Sequence, residues 1–320
     1  MAHSSLTSPN IRPFRDTADL EALLALTRDA AAPGTPGVYY RVGDIIWQMF
    51  QWPPTVFVAQ EHIALWEDAS GALLGFLWFD TAFGEVTIQL HPRLRAASDA
   101  SRRLDALLAW AESLIADAAA DDTPQQIVVE TLDDDTLLIA AFEPRGYTRG
   151  EAHAVLYRRD LPATLPASTL PPGWTIRHVA DQAEFEPRVT LHQEVWRPSR
   201  VTLEAYRRLR QAPVYRPELD LVAVAPDGAL GAYSICWYDA QNRSGEFEPV
   251  GTHPNYRQLG LGKAVVLAGC HRLRALGAQT ATVGTGKADT LNSTAAARYN
   301  LYTSAGFNIV NRAYPYCKAL

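Results

Sequence analysis

A proline-rich segment near the middle of the chain, Leu161 to Gly173, separates two stretches that repeat one order of predicted elements. It reads LPATLPASTLPPG, with four prolines and no charged residue, so it interrupts both helix and strand patterns. Prolines this dense favour an extended tether. At 320 residues the chain also exceeds what one hydrophobic core usually serves. We therefore expect two domains, 1–160 and 173–320, joined by a linker at 161–172.

Each half begins with a strand and helices, continues through hairpin strands to a long amphipathic helix, and ends in a strand, a helix and a closing strand. In the N-terminal half we expect a strand at Thr55–Val58 and the closing strand at Ala152–Arg158. In the C-terminal half, Ile309–Cys317 is expected to close the domain.

Composition narrows the classes of function. The formal net charge is -6 and the pI is about 5.8, with acidic and basic residues interspersed, so a nucleic-acid partner is not expected. The N-terminus does not resemble a secretory signal and no run of 18 apolar residues occurs, which predicts a cytoplasmic protein that does not bind a membrane. The three cysteines form no CxxC motif and the histidines form no HExxH motif, so no metal is expected.

A glycine-containing turn is the clearest candidate binding element. Residues 257–263, RQLGLGK, run from a predicted strand directly into a predicted helix, whose first N–H groups lack helical partners. Such a helix start attracts phosphate, and Gly260 and Gly262 allow the main chain to approach a ligand closely. Arg257 and Lys263 add positive charge at the two ends. We expect the turn to bind an anion such as a pyrophosphate.

Two common phosphate-binding motifs are excluded. A P-loop would need a glycine where Arg257 stands and Ser or Thr where Ala264 stands. A dinucleotide fingerprint would need a third glycine at Val265.

Two segments carry a family resemblance. VGTHPNYRQLGLGKAVV, at 250–266, resembles motif A of the GCN5-related N-acetyltransferase (GNAT) superfamily, and LYTSAGF, at 301–307, resembles its motif B. The resemblance implies an α+β fold of two tandem GNAT-like domains, each a mixed, mostly antiparallel sheet flanked by helices. It also implies an acetyl-CoA-dependent N-acetyltransferase that moves acetyl to a primary amine of a small molecule or peptide, by direct attack in a ternary complex.

The same resemblance implies the site residues. Tyr302 is the expected general acid, although Tyr299 competes with it on the same helix face. Glu246 matches the family's base position, and Glu248 is the alternative on the same face of the strand. We expect the strand to bulge at Pro249, where the family opens a gap for pantetheine. The cofactor contacts implied are Val250, Thr252, Arg257, Gln258, Leu259, Gly260, Leu261, Gly262 and Lys263, together with Asn292, which stands three residues from the family's asparagine position.

The N-terminal half resembles a degenerate copy. Its counterpart of the turn, IQLHPRLRAASDASRRL at 88–104, contains no glycine, and Phe142 replaces the tyrosine. Two alternatives to acetyl transfer stay open: a non-catalytic acyl-CoA-binding sensor, and an enzyme that accepts longer acyl chains. A monomer and a homodimer are both compatible with the sequence.

Overall fold

The computed structural model describes residues 10–118, 126–285 and 301–320. The strands, in chain order, are β1 (Asn10–Pro13), β2 (Ile63–Glu67), β3 (Leu73–Asp80), β4 (Glu85–Leu90), β5 (Gln126–Leu132), β6 (Thr148–Arg149), β7 (Ala154–Asp160), β8 (Thr175–His178), β9 (Asp220–Val224), β10 (Leu230–Asp239), β11 (Ser244–Thr252), β12 (Thr280–Thr285) and β13 (Asn308–Ala319). The helices are α1 (Thr17–Ala30), α2 (Val42–Phe50), α3 (Ala59–His62), α4 (Pro92–Arg95), α5 (Ala100–Ala118), α6 (Thr136–Phe142), α7 (Phe185–Val195), α8 (Leu203–Leu209) and α9 (Leu261–Ala275).

The chain forms two compact units that are discontinuous in sequence. Unit 1 contains Met1–Tyr40, Val58–His153 and Asn311–Leu320, and unit 2 contains Arg41–Phe57 and Ala154–Val310. Each unit is an α+β assembly with a sheet of the predicted mixed type.

Unit 1 has the sheet order β1-β2-β3-β4-β5-β13, with β6 beside β13. The pairs are antiparallel apart from the parallel pair β4 and β5. Its first helix, α1, begins at an N-cap, because the Asp16 side chain accepts hydrogen bonds from the N–H groups of Ala18 and Asp19. The core lies between the sheet and helices such as α5, whose Leu104, Leu107 and Leu108 are fully buried.

Unit 2 repeats this arrangement, with the order β8-β9-β10-β11-β12-β7 and one parallel pair, β11 with β12. The predicted hairpin turn joins β9 to β10, where Gly228 has φ of +89° and Asp227 accepts a hydrogen bond from the Ala229 N–H. Helix α9 packs Val265, Val266 and Leu273 into the core of this unit.

The two closing strands belong to the units opposite to those expected from chain order. The strand expected at Ala152–Arg158 is β7, which pairs along its length with β12 of unit 2. The strand expected at Ile309–Cys317 is β13, whose residues 313–319 pair with β5 of unit 1. Strand periodicity identified both segments, but it does not specify which sheet edge a strand joins.

Residues 41–57 lie in unit 2 although they precede most of unit 1 in the chain. They contain α2, which packs against α8, β10 and β11. The strand expected at Thr55–Val58 is wrong: the N–H groups of Val56 and Phe57 donate to the carbonyl of Pro53, which closes a turn instead. The two prolines at 53 and 54 favour that turn.

The proline-rich segment is part of unit 2 and packs into its core. Leu161 and Leu165 are buried in its core cluster, and the Ser168 hydroxyl donates to the carbonyl of Ala264 on α9 at 3.0 Å. Across the described ranges, none of the helices combines the length and apolar character needed to cross a bilayer.

Candidate functional site

The candidate site of unit 2 begins at a bulge in β11. Cys236 on β10 pairs with Phe247 and Ser234 pairs with Val250, so Glu248 and Pro249 together oppose the single residue between them on β10. The bulge predicted at Pro249 is therefore confirmed. The Trp237 indole N–H donates to the Glu248 carbonyl at 2.6 Å and holds the bulged backbone in place.

The strands beside the bulge pair only at one end. β11 and β12 pair at three positions, from Ser244 with Thr280 to Glu246 with Thr282. Beyond that point β12 stays paired with β7 as far as Thr285, while β11 follows β10 to Thr252. Val250 and Thr252 thus lie on the part of β11 that lies beyond the parallel pairing, at the position expected for the pantetheine gap.

The glycine turn leads from β11 into α9. Residues 257–260 are exposed, and Gln258 and Gly260 have φ of +66° and +78°. Gly260 is the N-cap of α9 and offers no side-chain cap, so the first N–H groups of the helix face a turn that is open to solvent. Lys263 is exposed in the first helical turn.

The two glycines of the turn are needed for different reasons. Gly260 has open space around it, and its left-handed backbone is what disfavours a side chain there. Gly262 is buried, and a Cβ at this position would lie 2.8 Å from the Thr252 hydroxyl oxygen. The absence of a side chain at 262 lets the start of α9 approach the end of β11.

The carboxyl groups of Glu246 and Glu248 both lie on the side of the sheet that faces α2. Glu246 is buried, and one of its carboxyl oxygens accepts a hydrogen bond from the Gly43 N–H at 2.9 Å. Glu248 is half-buried and lies within electrostatic reach of Asp44 on the same helix.

Burial and neighbouring charge alter the proton affinity of both carboxyls. Burial raises the pKa of Glu248 to about 8, and the nearby charge of Asp44 contributes in the same direction. The pKa of Glu246 is raised well above its usual range, mainly by burial and then by the charge of Asp44 and a hydrogen bond to it. A carboxyl with a pKa near neutrality is suited to accept and return protons at physiological pH.

Aromatic side chains and an uncharged imidazole line the neighbouring part of the sheet. The Tyr233 hydroxyl accepts from the Trp196 indole N–H at 2.7 Å and is hydrogen-bonded to His192 Nδ1 at 2.7 Å. Burial, assisted by the charge of Arg188, lowers the pKa of His192 to about 3. His192 is therefore neutral at physiological pH. Trp47 on α2 packs against its ring, with centroids 5.3 Å apart.

Tyr302 follows at the start of the final described helical segment, residues 301–304. Its ring is buried in the core of unit 2, with centroid distances of 5.3 Å to Tyr157 and 6.2 Å to Phe307. Leu301 beside it reaches Gly262, since a Cβ on that glycine would lie 3.4 Å from Leu301. The segment that carries Tyr302 therefore packs next to the glycine turn. Asn292 and Tyr299 lie outside the described residues.

Sequence reasoning missed Gly43, which hydrogen-bonds to Glu246, and Asp44, whose charge acts on both glutamates. Both residues precede the glutamates by about two hundred positions. The helix itself had a local signal, because Val42, Ile45 and Ile46 recur at helical spacing and are buried. Nothing in that local pattern indicates where the helix docks. In the residues covered by the structure, no set of three His, Cys, Asp or Glu side chains is arranged to hold a metal ion.

Unit 1 has a counterpart of each part of this site, in altered form. Thr87 corresponds to Glu246. It pairs with a tryptophan on the neighbouring strand, Trp78, and it forms the last parallel pair of its strand, with Glu130. The turn after β4 forms the short helix α4, and a buried ion pair joins its Arg95 to Asp135 at 2.7 Å.

The gap between β4 and β5 in unit 1 is bridged by the chain itself. On the β4 side, the amide of Gln89 accepts from the Tyr39 N–H at 2.9 Å and donates to the Gly37 carbonyl at 3.1 Å. On the β5 side, the Tyr39 hydroxyl donates to Asp135 at 2.9 Å and accepts from the Leu132 N–H at 3.3 Å. Residues 37–40 therefore occupy the position that corresponds to the open part of the unit 2 gap.

Comparison with known proteins identifies similar sequences and similar folds. Residues 186–307 match the sequence profile described as the acetyltransferase (GNAT) family. A mycothiol acetyltransferase of Saccharopolyspora erythraea is 28% identical over 232 residues, which cover 68% of this chain and 74% of that protein. A GCN5-related N-acetyltransferase from Sphaerobacter thermophilus has 17% identity, a TM-score of 0.60, and covers 98% of this chain and 97% of its own. A tandem GNAT protein from the clavulanic acid biosynthesis pathway has the same identity and TM-score, with coverage of 97% and 98%.

Proposed function

The chain is a tandem-domain N-acetyltransferase of the GNAT superfamily, and from this premise we propose that it transfers acetyl from acetyl-CoA to a primary amine of a small molecule or peptide. We assign the reaction to the C-terminal part of the chain, 173–320, acting by direct attack of the amine in a ternary complex. Residues 41–57 and 154–172, which belong to unit 2 but precede this part of the chain, would complete the site.

One observation carries the proposal: an exposed helix start without a side-chain cap lies beside the end of a strand that has separated from its parallel neighbour. The N–H groups of Leu261, Gly262 and Lys263 would bind the pyrophosphate, and Gly260 would let the main chain approach it closely.

In this assignment Arg257, Gln258 and Leu259 form the exposed approach to the helix start, and Arg257 and Lys263 supply the positive charge that a diphosphate requires. The main-chain groups of Val250 and Thr252 would hydrogen-bond pantetheine along the gap, which directs the thioester toward the bulge at Glu248. Acetyl-CoA is thus the proposed cosubstrate.

We assign the role of general base to Glu248. An ammonium group must lose a proton before its nitrogen can attack, and a half-buried carboxylate with a pKa of about 8 can take that proton near neutral pH. Glu246 is a weaker candidate, because it is buried and already accepts a hydrogen bond from the Gly43 N–H.

Tyr302 is the proposed general acid. The amine nitrogen forms a bond to the thioester carbonyl carbon, and the carbon–sulfur bond then breaks to release a thiolate. Tyr302 would donate its phenolic proton to that sulfur, while Glu248 holds the proton taken from the amine. The nitrogen then loses its second surplus proton to the Tyr302 phenolate, and Glu248 releases its proton to solvent, so the products are an amide, free coenzyme A and one proton.

The proposal is tested by thiol release from acetyl-CoA across a panel of primary amines. General acid–base groups contribute about 10²- to 10⁴-fold, so Glu248→Gln and Tyr302→Phe are each expected to reduce kcat by about 100-fold or more. Tyr314→Phe is the matched control, since it removes a hydroxyl from β13 in unit 1 and leaves the ring that stacks on Arg149. Tight acetyl-CoA binding without acyl transfer to any amine would instead identify an acyl-CoA sensor. Preference for a longer acyl-CoA would show that acetyl-CoA is not the acyl donor.

A further inference from the structure

Helix α2, from the first fifth of the chain, contacts Glu246, two residues before the proposed base Glu248. Gly43 and Glu246 are 203 residues apart in sequence, yet the Gly43 N–H donates to the Glu246 carboxyl at 2.9 Å. Both residues belong to unit 2. The contact lies in the first turn of α2, where N–H groups have no helical acceptor and a carboxyl group can satisfy one of them.

The packing around this contact leaves little freedom. Glu246 is 5% exposed and pairs across the strands with Trp237, which is 1% exposed. A Cβ added to Gly43 would lie 2.2 Å from the Trp237 ring and 2.5 Å from the Glu246 carboxyl oxygen. The glycine therefore permits an approach that no other residue would allow.

Asp44, the next residue, brings a third carboxyl group to the same place. Its side chain accepts a hydrogen bond from the Arg41 N–H at 2.9 Å, which fixes it over the helix start. Asp44 is also hydrogen-bonded to Glu246, and its charge acts on Glu248. Two carboxyl groups can hydrogen-bond to each other only when one of them carries a proton. Glu246, whose raised pKa favours the protonated form, carries that proton beside the proposed base.

We propose that Asp44 is a positioning residue for acyl transfer: together with the backbone of Gly43 it holds Glu246 against α2, and leaves Glu248 as the carboxylate that meets the amine. This inference rests on the proposed function and extends it to a helix encoded outside the C-terminal half. Asp44 acts through the two glutamates and is not itself assigned contact with the reacting atoms.

Several other charged or titratable groups belong to the elements packed against β11. They are Arg41 at the N-cap of α2, Tyr233 on β10, Arg188 and His192 on α7, and Lys263, Cys270, His271, Arg272 and Arg274 on α9. Arg41 favours the ionised form of Glu246, whereas Asp44 is the charge that disfavours ionisation of Glu248. Removing the charge of Asp44 should therefore make Glu248 easier to ionise.

The test is the pH dependence of kcat/KM for Asp44→Asn, Asp44→Glu and Glu248→Gln in the full chain. Asparagine keeps an oxygen that can accept from the Arg41 N–H but carries no charge. For Asp44→Asn we expect the acidic limb of the profile to move about one pH unit lower, and kcat to fall about tenfold as Glu246 loses its partner. Asp44→Glu should restore the limb to within a few tenths of a pH unit of the wild-type value. Glu204→Gln, a charge removal at an exposed site on α8, is the control and should leave the profile unchanged.

The outcomes distinguish failure of the positioning role of Asp44 from failure of the assignment of Glu248 as base. If Asp44→Asn does not move the acidic limb while Glu248→Gln abolishes it, the positioning role of Asp44 is wrong and the assignment of Glu248 as base stands. A limb that persists in Glu248→Gln would overturn the base assignment and the positioning role with it. If Asp44→Asn fails to fold, Gly43→Ala supplies the second measurement. Its methyl group overlaps the Trp237 ring and the Glu246 carboxyl and must displace both, so unchanged kcat would contradict the proposal.

Discussion

Burial of two carboxyl groups in one strand has a cost that depends on pH. Glu248 and Glu246 both have pKa values above those of exposed glutamates, with burial as the main cause. The folded chain therefore retains protons that the unfolded chain has already lost. This is the reverse of the usual salt-bridged carboxylate, such as Asp19 beside Arg12, whose pKa falls to about 2.

The first prediction concerns stability as a function of pH. Between the unfolded pKa of glutamate, about 4.3, and the folded value for Glu248, about 8, the native state binds more protons than the unfolded state, so its free energy of unfolding falls as pH rises. The slope from one such group is at most about 1.4 kcal/mol per pH unit. Glu248→Gln removes this term, so its stability relative to wild type should increase from pH 5 to pH 8. Urea unfolding at several pH values measures the difference, with exposed Glu204→Gln as reference, and parallel curves for wild type and Glu248→Gln would contradict it.

The two strand–turn–helix elements of the molecule show how small changes can open or close one site. In unit 2 the turn ends in left-handed Gly260 and leaves the start of α9 uncapped. In unit 1 the corresponding turn carries Arg95, which is held by Asp135, and residues 37–40 bridge the strand gap. We therefore expect one acetyl-CoA site per chain.

The second prediction uses the glycine of the open turn. A non-glycine residue with left-handed φ costs about 1–2 kcal/mol, and a backbone that relaxes to avoid this cost would turn the N–H groups away from the pyrophosphate. Gly260→Ala should raise the Kd for acetyl-CoA about tenfold or more. Calorimetry should give one site per wild-type chain. Gly71→Ala is the matched control, because Gly71 has φ of +82° and equally open space but lies in the β2–β3 hairpin of unit 1. A second site that survives in Gly260→Ala would show that unit 1 binds the cofactor.

Local chemistry accounts for the parts of the site that the sequence predicts well. Gly260 at a helix start permits a left-handed backbone and supplies no side-chain cap, and Pro249 within a strand cannot donate to a sheet ladder, so the uncapped turn and the bulge can be inferred from local residues alone. The strand expected at Thr55–Val58 is wrong because the two prolines before Thr55 favour a turn, which the N–H groups of Val56 and Phe57 close on the Pro53 carbonyl. The Gly43–Glu246 contact could not be inferred, since it depends on where a helix docks and not on any local pattern.

At the scale of the whole molecule, the two halves of the chain exchange segments between the two compact units. Unit 2 takes α2 and β7 from before the proline-rich segment, and unit 1 takes residues 311–320 from the end of the chain. The repeated order of elements predicts two similar folds, each expected to be continuous in sequence. Hydrophobic periodicity identifies a strand without identifying its partner, so the exchange becomes visible only in the pairing of β7 with β12 and of β13 with β5.

The exchange predicts that cutting the chain at residue 160 will not release an active C-terminal enzyme. Residues 161–320 alone would lack β7, which pairs at six positions from Thr280–Asp160 to Thr285–Val155, and would leave the backbone groups of β12 unpaired on that side. They would also lack Gly43 and Asp44. We expect this fragment to aggregate or to unfold without cooperativity, and to release no thiol from acetyl-CoA, whereas co-expression with residues 1–160 should restore a soluble, active complex because both exchanged segments are then supplied. Circular dichroism melting and the thiol assay measure the two properties. A fragment 161–320 that folds cooperatively and retains the kcat of the full chain would contradict the prediction, since the N-terminal segments would then be dispensable to the catalytic unit.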